Sequence, residues 1–157
     1  MKIALLLNGK TSEDYIAKGI SSFAERIKKY TPFEIITLPD IKNTRNMPVR
    51  EKKIKEAEKI LGFFREGDYV VILDEKGKEY STLELSKWLE QKIMLPMKRL
   101  VFVIGGPWGF ADEIYDRADA SISLSRLTFS HQIIRLLFLE QLYRVFTVIK
   151  GEPYHHV

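Results

Sequence analysis

Cysteine is absent from the 157-residue chain. That single absence removes disulfides, thiolate metal sites and cysteine nucleophiles together. Long apolar runs are missing too, and nothing approaches the roughly 20 residues that a membrane span needs. The opening Met1-Lys2-Ile3-Ala4-Leu5-Leu6-Leu7-Asn8-Gly9 has a short apolar stretch and no small-residue cleavage site, unlike a signal peptide. A cytoplasmic protein with no membrane association is therefore expected. Histidine is scarce, at 3 residues, and none has the H-x-x-x-H spacing that places two ligands on one helical face, so no metal site is expected. Ser125 and Ser130 stand near His131, yet neither lies in a G-x-S-x-G elbow, which weighs against a serine hydrolase. The glycine motifs are also incomplete. Asn8-Gly9-Lys10-Thr11 looks like the end of a P-loop, but the position five residues before Gly9 is Ala4, so the backbone cannot wrap a triphosphate. Gly105-Gly106-Pro107-Trp108-Gly109 lacks the dinucleotide-binding spacing.

Neither sign of charge dominates: 25 Lys+Arg oppose 21 Asp+Glu, a net of +4. Residues 10–60 hold 12 basic and 8 acidic side chains, whereas residues 61–120 hold 8 and 11, so the excess sits toward the N-terminal third. Its densest run is Arg50-Glu51-Lys52-Lys53-Ile54-Lys55, which reads either as a solvated helix face or as an edge that meets phosphates. The length fits one domain over residues 1–157.

What is present is a regular alternation. Apolar runs at 2–7, 32–38, 69–73 and 99–104 read as strands, with a shorter one at 120–123. Between them lie helical patterns. Tyr15, Ile16, Ile20, Phe23, Ile27 and Tyr30 recur at spacings of three and four, which predicts one apolar helix face. A helix is predicted from about Pro48 to Phe64. Asp74-Glu75-Lys76-Gly77-Lys78 reads as a charged turn, and Ser81-Thr82-Leu83-Glu84 has capping-box spacing for a helix to about Met94. A short helix from Asp112 and a long one from about His131 to Val148 complete the series. Apolar strands alternating with helices predict an α/β fold, a parallel sheet sandwiched by helices. Ligands of such sheets sit beyond the carboxyl ends of the strands, here Asn8-Gly9, Leu73-Asp74, Gly105-Gly106 and Ser123-Leu124-Ser125. The ending Pro153-Tyr154-His155-His156 is unusual for a frayed terminus and reads as a partner or substrate contact.

Several segments, taken in order, resemble one family. They are Leu73-Asp74 followed by Gly77-Lys78 and Ser81-Thr82, then Ile104-Gly105-Gly106, then Leu124-Ser125-x-Leu127-Thr128-Phe129-x-His131. Glu140-Gln141-Leu142-Tyr143-Arg144 and Pro153-Tyr154-His155 follow. The pattern is similar to the ribosomal RNA large subunit methyltransferase H family of the SPOUT superfamily, over the whole chain. The resemblance implies a C-terminal trefoil knot, a homodimer, and S-adenosyl-L-methionine-dependent methylation of N3 of a pseudouridine in 23S rRNA on the assembled ribosome. It implies cofactor binding by Leu73, Gly105, Leu124, Ser125, Arg126, Leu127, Thr128 and Phe129. It also implies a catalytic, substrate-side role for Tyr154 and His155 across the dimer. The proton on N3 must leave, to His155 or into a field made by Arg126, Arg135 or Arg144. The chain departs from the family at its end, where a basic residue and often an acidic one are replaced by His156 and Val157, so an imidazole stands in for a permanent cation. A non-catalytic RNA- or ribosome-binding module on the same fold is the alternative.

Overall fold

A computed structural model describes residues 1–156; Val157 lies outside the described residues. The elements run β1 (Lys2–Asn8), α1 (Asp14–Ile27), β2 (Phe33–Leu38), α2 (Val49–Phe63), β3 (Asp68–Glu79), α3 (Thr82–Ile93), β4 (Arg99–Ile104), α4 (Asp112–Arg117), β5 (Ala120–Ser123) and α5 (Ile133–Ile149). The strands form one parallel sheet in the order β2-β1-β4-β3-β5. Because successive side chains point to opposite faces, Ile3, Leu5, Leu7, Phe102 and Ile104 enter a core with α1, α3 and α5. Ala4, Leu6, Val101 and Val103 enter a second core with α2 and α4. Both faces are covered, which is why the strands read as continuous apolar runs. Among the described residues no helix is long and apolar enough to cross a membrane.

The capping box forms as its spacing predicts: the Glu84 amide donates to Ser81 Oγ, and the Ser81 amide donates to the Glu84 carboxylate. The helix face predicted for α1 is buried at Ile16, Ile20 and Ile27, but Tyr15 lies outside it at 66% exposure. Ile16, the next residue in the same turn, is buried instead, so the buried face begins there.

The larger departure is in β3. The turn expected at Asp74–Lys78 is instead part of a strand that continues to Glu79, with both Leu73 and Lys78 in register with Ile122 of β5. The chain bulges between them and returns to the same partner. Gly77 permits the return, because a Cβ there would stand 2.7 Å from the Ile122 carbonyl carbon and 2.8 Å from its nitrogen. Backbone atoms in a paired strand cannot retreat as a side-chain tip can. Gly77→Ala is therefore expected to destabilise the fold by about 3 kcal/mol, near the top of the range for overpacking. Urea unfolding of the variant at the wild-type midpoint would contradict this.

Candidate cofactor cleft and tail cluster

Three strand ends build a cleft of about 470 Å³. β3 contributes Leu73, Asp74 and Glu75, and β4 contributes Ile104 and the Gly105–Phe110 loop. The segment after β5 contributes Leu124, Ser125, Leu127, Thr128, Phe129, Ser130 and His131. Seven of the eight residues assigned to the cofactor by resemblance thus meet at one cavity. The eighth, Arg126, does not line it: its side chain is 85% exposed and faces Glu79, with Nε 3.5 Å from the carboxylate.

Local hydrogen bonds shape the walls. Ser125 Oγ accepts from the Leu127 amide, and Ser123 Oγ donates to the Ser125 carbonyl, so the turn after β5 is tied by its own hydroxyls. Thr128 Oγ1 donates to Glu75 across the cleft, joining the 124–130 segment to the end of β3. Tyr115 donates to Asp74 at 2.8 Å. Burial, and then this bond to a carboxylate, push its phenol up to about 12, so it remains a donor at neutral pH. At Gly105 a Cβ would stand 2.9 Å from the Phe110 ring, and the absent side chain leaves the cleft wall flat.

The cleft's charge is one-sided. Among the described residues, its ionisable lining consists of Asp74, Glu75 and His131, with no lysine or arginine. Burial, and next the nearby Arg135 guanidinium, hold the His131 imidazole below its usual range, so it is neutral at physiological pH. An acidic cleft in a chain of net +4 is matched to a cationic ligand rather than to a phosphate.

The fourth strand end, Asn8-Gly9, does not join the cleft. Arg135, fully buried at the start of α5, donates to the carbonyls of Asn8 and Gly9 and to Thr11 Oγ1. Gln132 accepts from the Ser12 amide and donates to the Lys10 carbonyl. The P-loop-like segment is thus the seat of α5. Arg135 is spent on neutral acceptors there and does not face the cleft.

Tyr154 and His155 lie elsewhere, on the flank of α5. The Tyr154 hydroxyl donates to Glu140 Oε1 at 3.2 Å, and its ring meets Tyr143 edge-on at 4.8 Å. Arg144 organises the group: Nε donates to Glu140 at 3.0 Å, NH1 lies 3.3 Å from His155 Nδ1, and the guanidinium sits 4.6 Å over the Tyr154 ring. Burial and the adjacent Glu140 charge raise the Tyr154 pKa. The structure therefore gathers the assigned residues into two clusters, a cleft and a tail, that do not meet within one chain. Of the lining residues outside the sequence assignment, Glu75, Trp108 and His131 bear most on the cleft's chemistry. The Gly105-Gly106 turn at the end of β4 was the signal for the loop that carries Trp108, whereas Glu75 is interior to β3.

Comparison with known proteins decides the family. A family model described as "Predicted SPOUT methyltransferase" matches residues 1–155. The chain belongs to the SPOUT methyltransferase family. Relatives named "Ribosomal RNA large subunit methyltransferase H" from Parabacteroides distasonis and Phocaeicola vulgatus are each 49% identical over 156 residues, covering 99% of both chains. A solved structure of a probable methylase family protein from Haemophilus influenzae superposes with TM-score 0.52 at 12% identity, over 99% of this chain and 70% of that one, so the two share a fold. The helix-covered parallel sheet expected from the sequence is thus the SPOUT architecture.

Proposed function

We propose that this chain is a ribosomal RNA methyltransferase that uses S-adenosyl-L-methionine to methylate N3 of a pseudouridine in 23S rRNA on the assembled ribosome. The observation that carries the reading is the acidic, glycine-walled cleft at the β3, β4 and β5 ends. When bound, the cofactor supplies an activated methyl group on a sulfonium. The flat wall at Gly105 and the apolar Leu73, Leu124 and Leu127 suit its adenosyl part, and Asp74 and Glu75 suit its positive charge. Arg126 contributes to this reading through backbone alone, since its side chain points away.

The tail supports a homodimer with a composite site. Tyr154, His155 and Arg144 supply the aromatic face and positive charge that RNA recognition uses, and the cleft of the same chain has neither a cation nor these residues. A partner copy brings them together in this reading. We also read residues 124–132 and α5 as the family's trefoil knot, supported by the anchoring of Arg135 on the end of β1. Held there, the cofactor would give its methyl from sulfur to N3, and the N3 proton would have to leave to an acceptor of the chain. In this reading the proton would pass to His131 at the cleft, or to His155 Nδ1 once Arg144 NH1, which can only donate, leaves that nitrogen. The outer wall continues onto α2, where Lys52 Nζ lies 4.7 Å over the Trp108 ring and extends a basic edge toward phosphates.

The test is incubation with S-adenosyl-L-methionine and ribosomes lacking the modification, followed by mass mapping of the RNA. One methyl on N3 of a single pseudouridine is expected; methylation elsewhere defeats the assignment. Absence of saturable cofactor binding in calorimetry would favour the non-catalytic ribosome-binding module. The composite site has its own test. Mixed dimers of a cleft variant, Gly105→Trp, and a tail variant, Tyr154→Ala/His155→Ala, are expected to recover about a quarter of wild-type activity, because one intact site forms in each heterodimer. Two chains acting independently would recover none.

A further inference from the structure

Glu56 is a buried carboxylate to which the reading above gives no task. It lies in the apolar register of α2, beside Ala57 and one turn before Ile60, and is only 5% exposed. Its Oε1 lies 2.8 Å from the point where a Cβ on Gly106 would stand, and Asn8 Nδ2 lies 3.4 Å from the same point. Glycine at 106 therefore lets the carboxylate lie flush behind the loop that walls the cleft. No ion pair reaches Glu56 among the described residues.

Its surroundings compensate the charge only in part. Lys59, on the same helix, spends its ammonium on the carbonyls of Pro39 and Asp40. Asp40, beyond β2, adds a like charge. Asn8, at the end of β1, offers an amide whose Oδ1 is itself buried without a partner. Arg135 reaches this region only through the backbone carbonyls of Asn8 and Gly9. Burial pushes the Glu56 carboxyl up to about 6, with the Asn8 amide resisting, Asp40 adding to the rise and the Lys59 charge opposing it. It is therefore ionised at neutral pH and loses its charge on mild acidification. An unpaired buried carboxylate weakens a fold, and its place directly behind a cleft wall gives that charge a use.

We propose that Glu56 is a specificity-determining residue of the cleft. Acting through the bare backbone of Gly106, its negative charge joins Asp74 and Glu75 in favouring a sulfonium ligand over the neutral thioether left after methyl transfer. This rests on the cofactor reading above. It gives the site a means of releasing product, because transfer removes the positive charge that the three carboxylates attract.

Calorimetric titration of wild type and Glu56→Gln with S-adenosylmethionine and S-adenosylhomocysteine tests it. Glutamine keeps the shape and removes the charge. The variant is expected to bind the sulfonium about threefold more weakly and the thioether with little change, the scale of one screened charge acting from behind the wall. Acidification from about pH 7 to about pH 5 also charges His131 in both proteins, so both ratios move, and the wild type's should move about threefold further through Glu56. An equal ratio in both proteins, or parallel loss of both ligands, overturns the proposal. If Glu56→Gln does not fold, the acid series on a His131→Gln background decides, and an unchanged ratio there overturns it. Failure of the wild type to bind either ligand removes the cofactor reading and this inference with it.

Discussion

Arg144→Ala is expected to reduce methyl transfer about 100-fold, the scale on which small misplacements of a substrate-positioning group act. S-adenosylmethionine affinity should be unchanged. The guanidinium is the common partner of the tail: it holds Glu140, covers the Tyr154 ring and approaches His155. Alanine leaves the Glu140 carboxylate with Tyr154 and Gln141 as its remaining donors and lets the 153–156 segment leave α5. The cleft is untouched, since no residue of this cluster lines it. Arg144→Lys should recover little, because an ammonium cannot fork onto a carboxylate while stacking over a ring. Single-turnover rates on undermethylated ribosomes, with calorimetry of the cofactor, separate these effects. A rate within about threefold of wild type would show that the tail is not held for catalysis.

Asp68→Ala is expected to cost about 3–5 kcal/mol of stability, the range for breaking a buried ion pair from one side. Asp68 opens β3 directly beside Arg99, which opens β4. Arg99 donates from Nε to Oδ1 at 2.9 Å and from NH2 to Oδ2 at 2.6 Å, with side-chain exposures of 6% and 2%. The variant would leave a buried guanidinium whose NH1 already lacks a hydrogen-bond partner. Burial opposes ionisation of Asp68, but the bonds from Arg99 and from the Arg65 amide outweigh it and hold the carboxyl below its usual range. A carboxyl depressed in the folded state contributes stability above its unfolded pKa and loses it as pH falls through the folded value. The difference between wild type and variant should therefore be constant from neutral pH to about 5 and shrink below about 4. Urea unfolding across that range is the measurement. A difference under about 1 kcal/mol at neutral pH would mean that the pair contributes specificity rather than stability.

Much of the fold was legible because the central strands β1 and β4 are buried on both faces. A run such as Leu100-Val101-Phe102-Val103-Ile104 has no alternative home in water, and its length separates it from a helix. The capping box was legible because its chemistry is local to four residues. The β3 extension was not, since Asp74-Glu75-Lys76-Gly77-Lys78 has the composition of a turn. Only the close approach of Ile122 makes Gly77 a strand residue. Glu56 was hidden in the same way: in sequence it is one more charge on a charged helix.

The sequence by itself determined the layers, the strand ends that carry the candidate cofactor residues, and the tail as something more than a frayed end. Those features depend on hydrophobic period, glycine placement and local hydrogen bonding, all of short range. Only the tertiary structure decided which strand ends form the cleft. Arg135 closes off Asn8-Gly9 from 126 residues away in sequence, and the Arg126 side chain turns outward to Glu79. It alone separated Tyr154 and His155 from the cleft and set Glu56 behind Gly106. These are consequences of long-range packing, where a side chain's role depends on which distant backbone it meets.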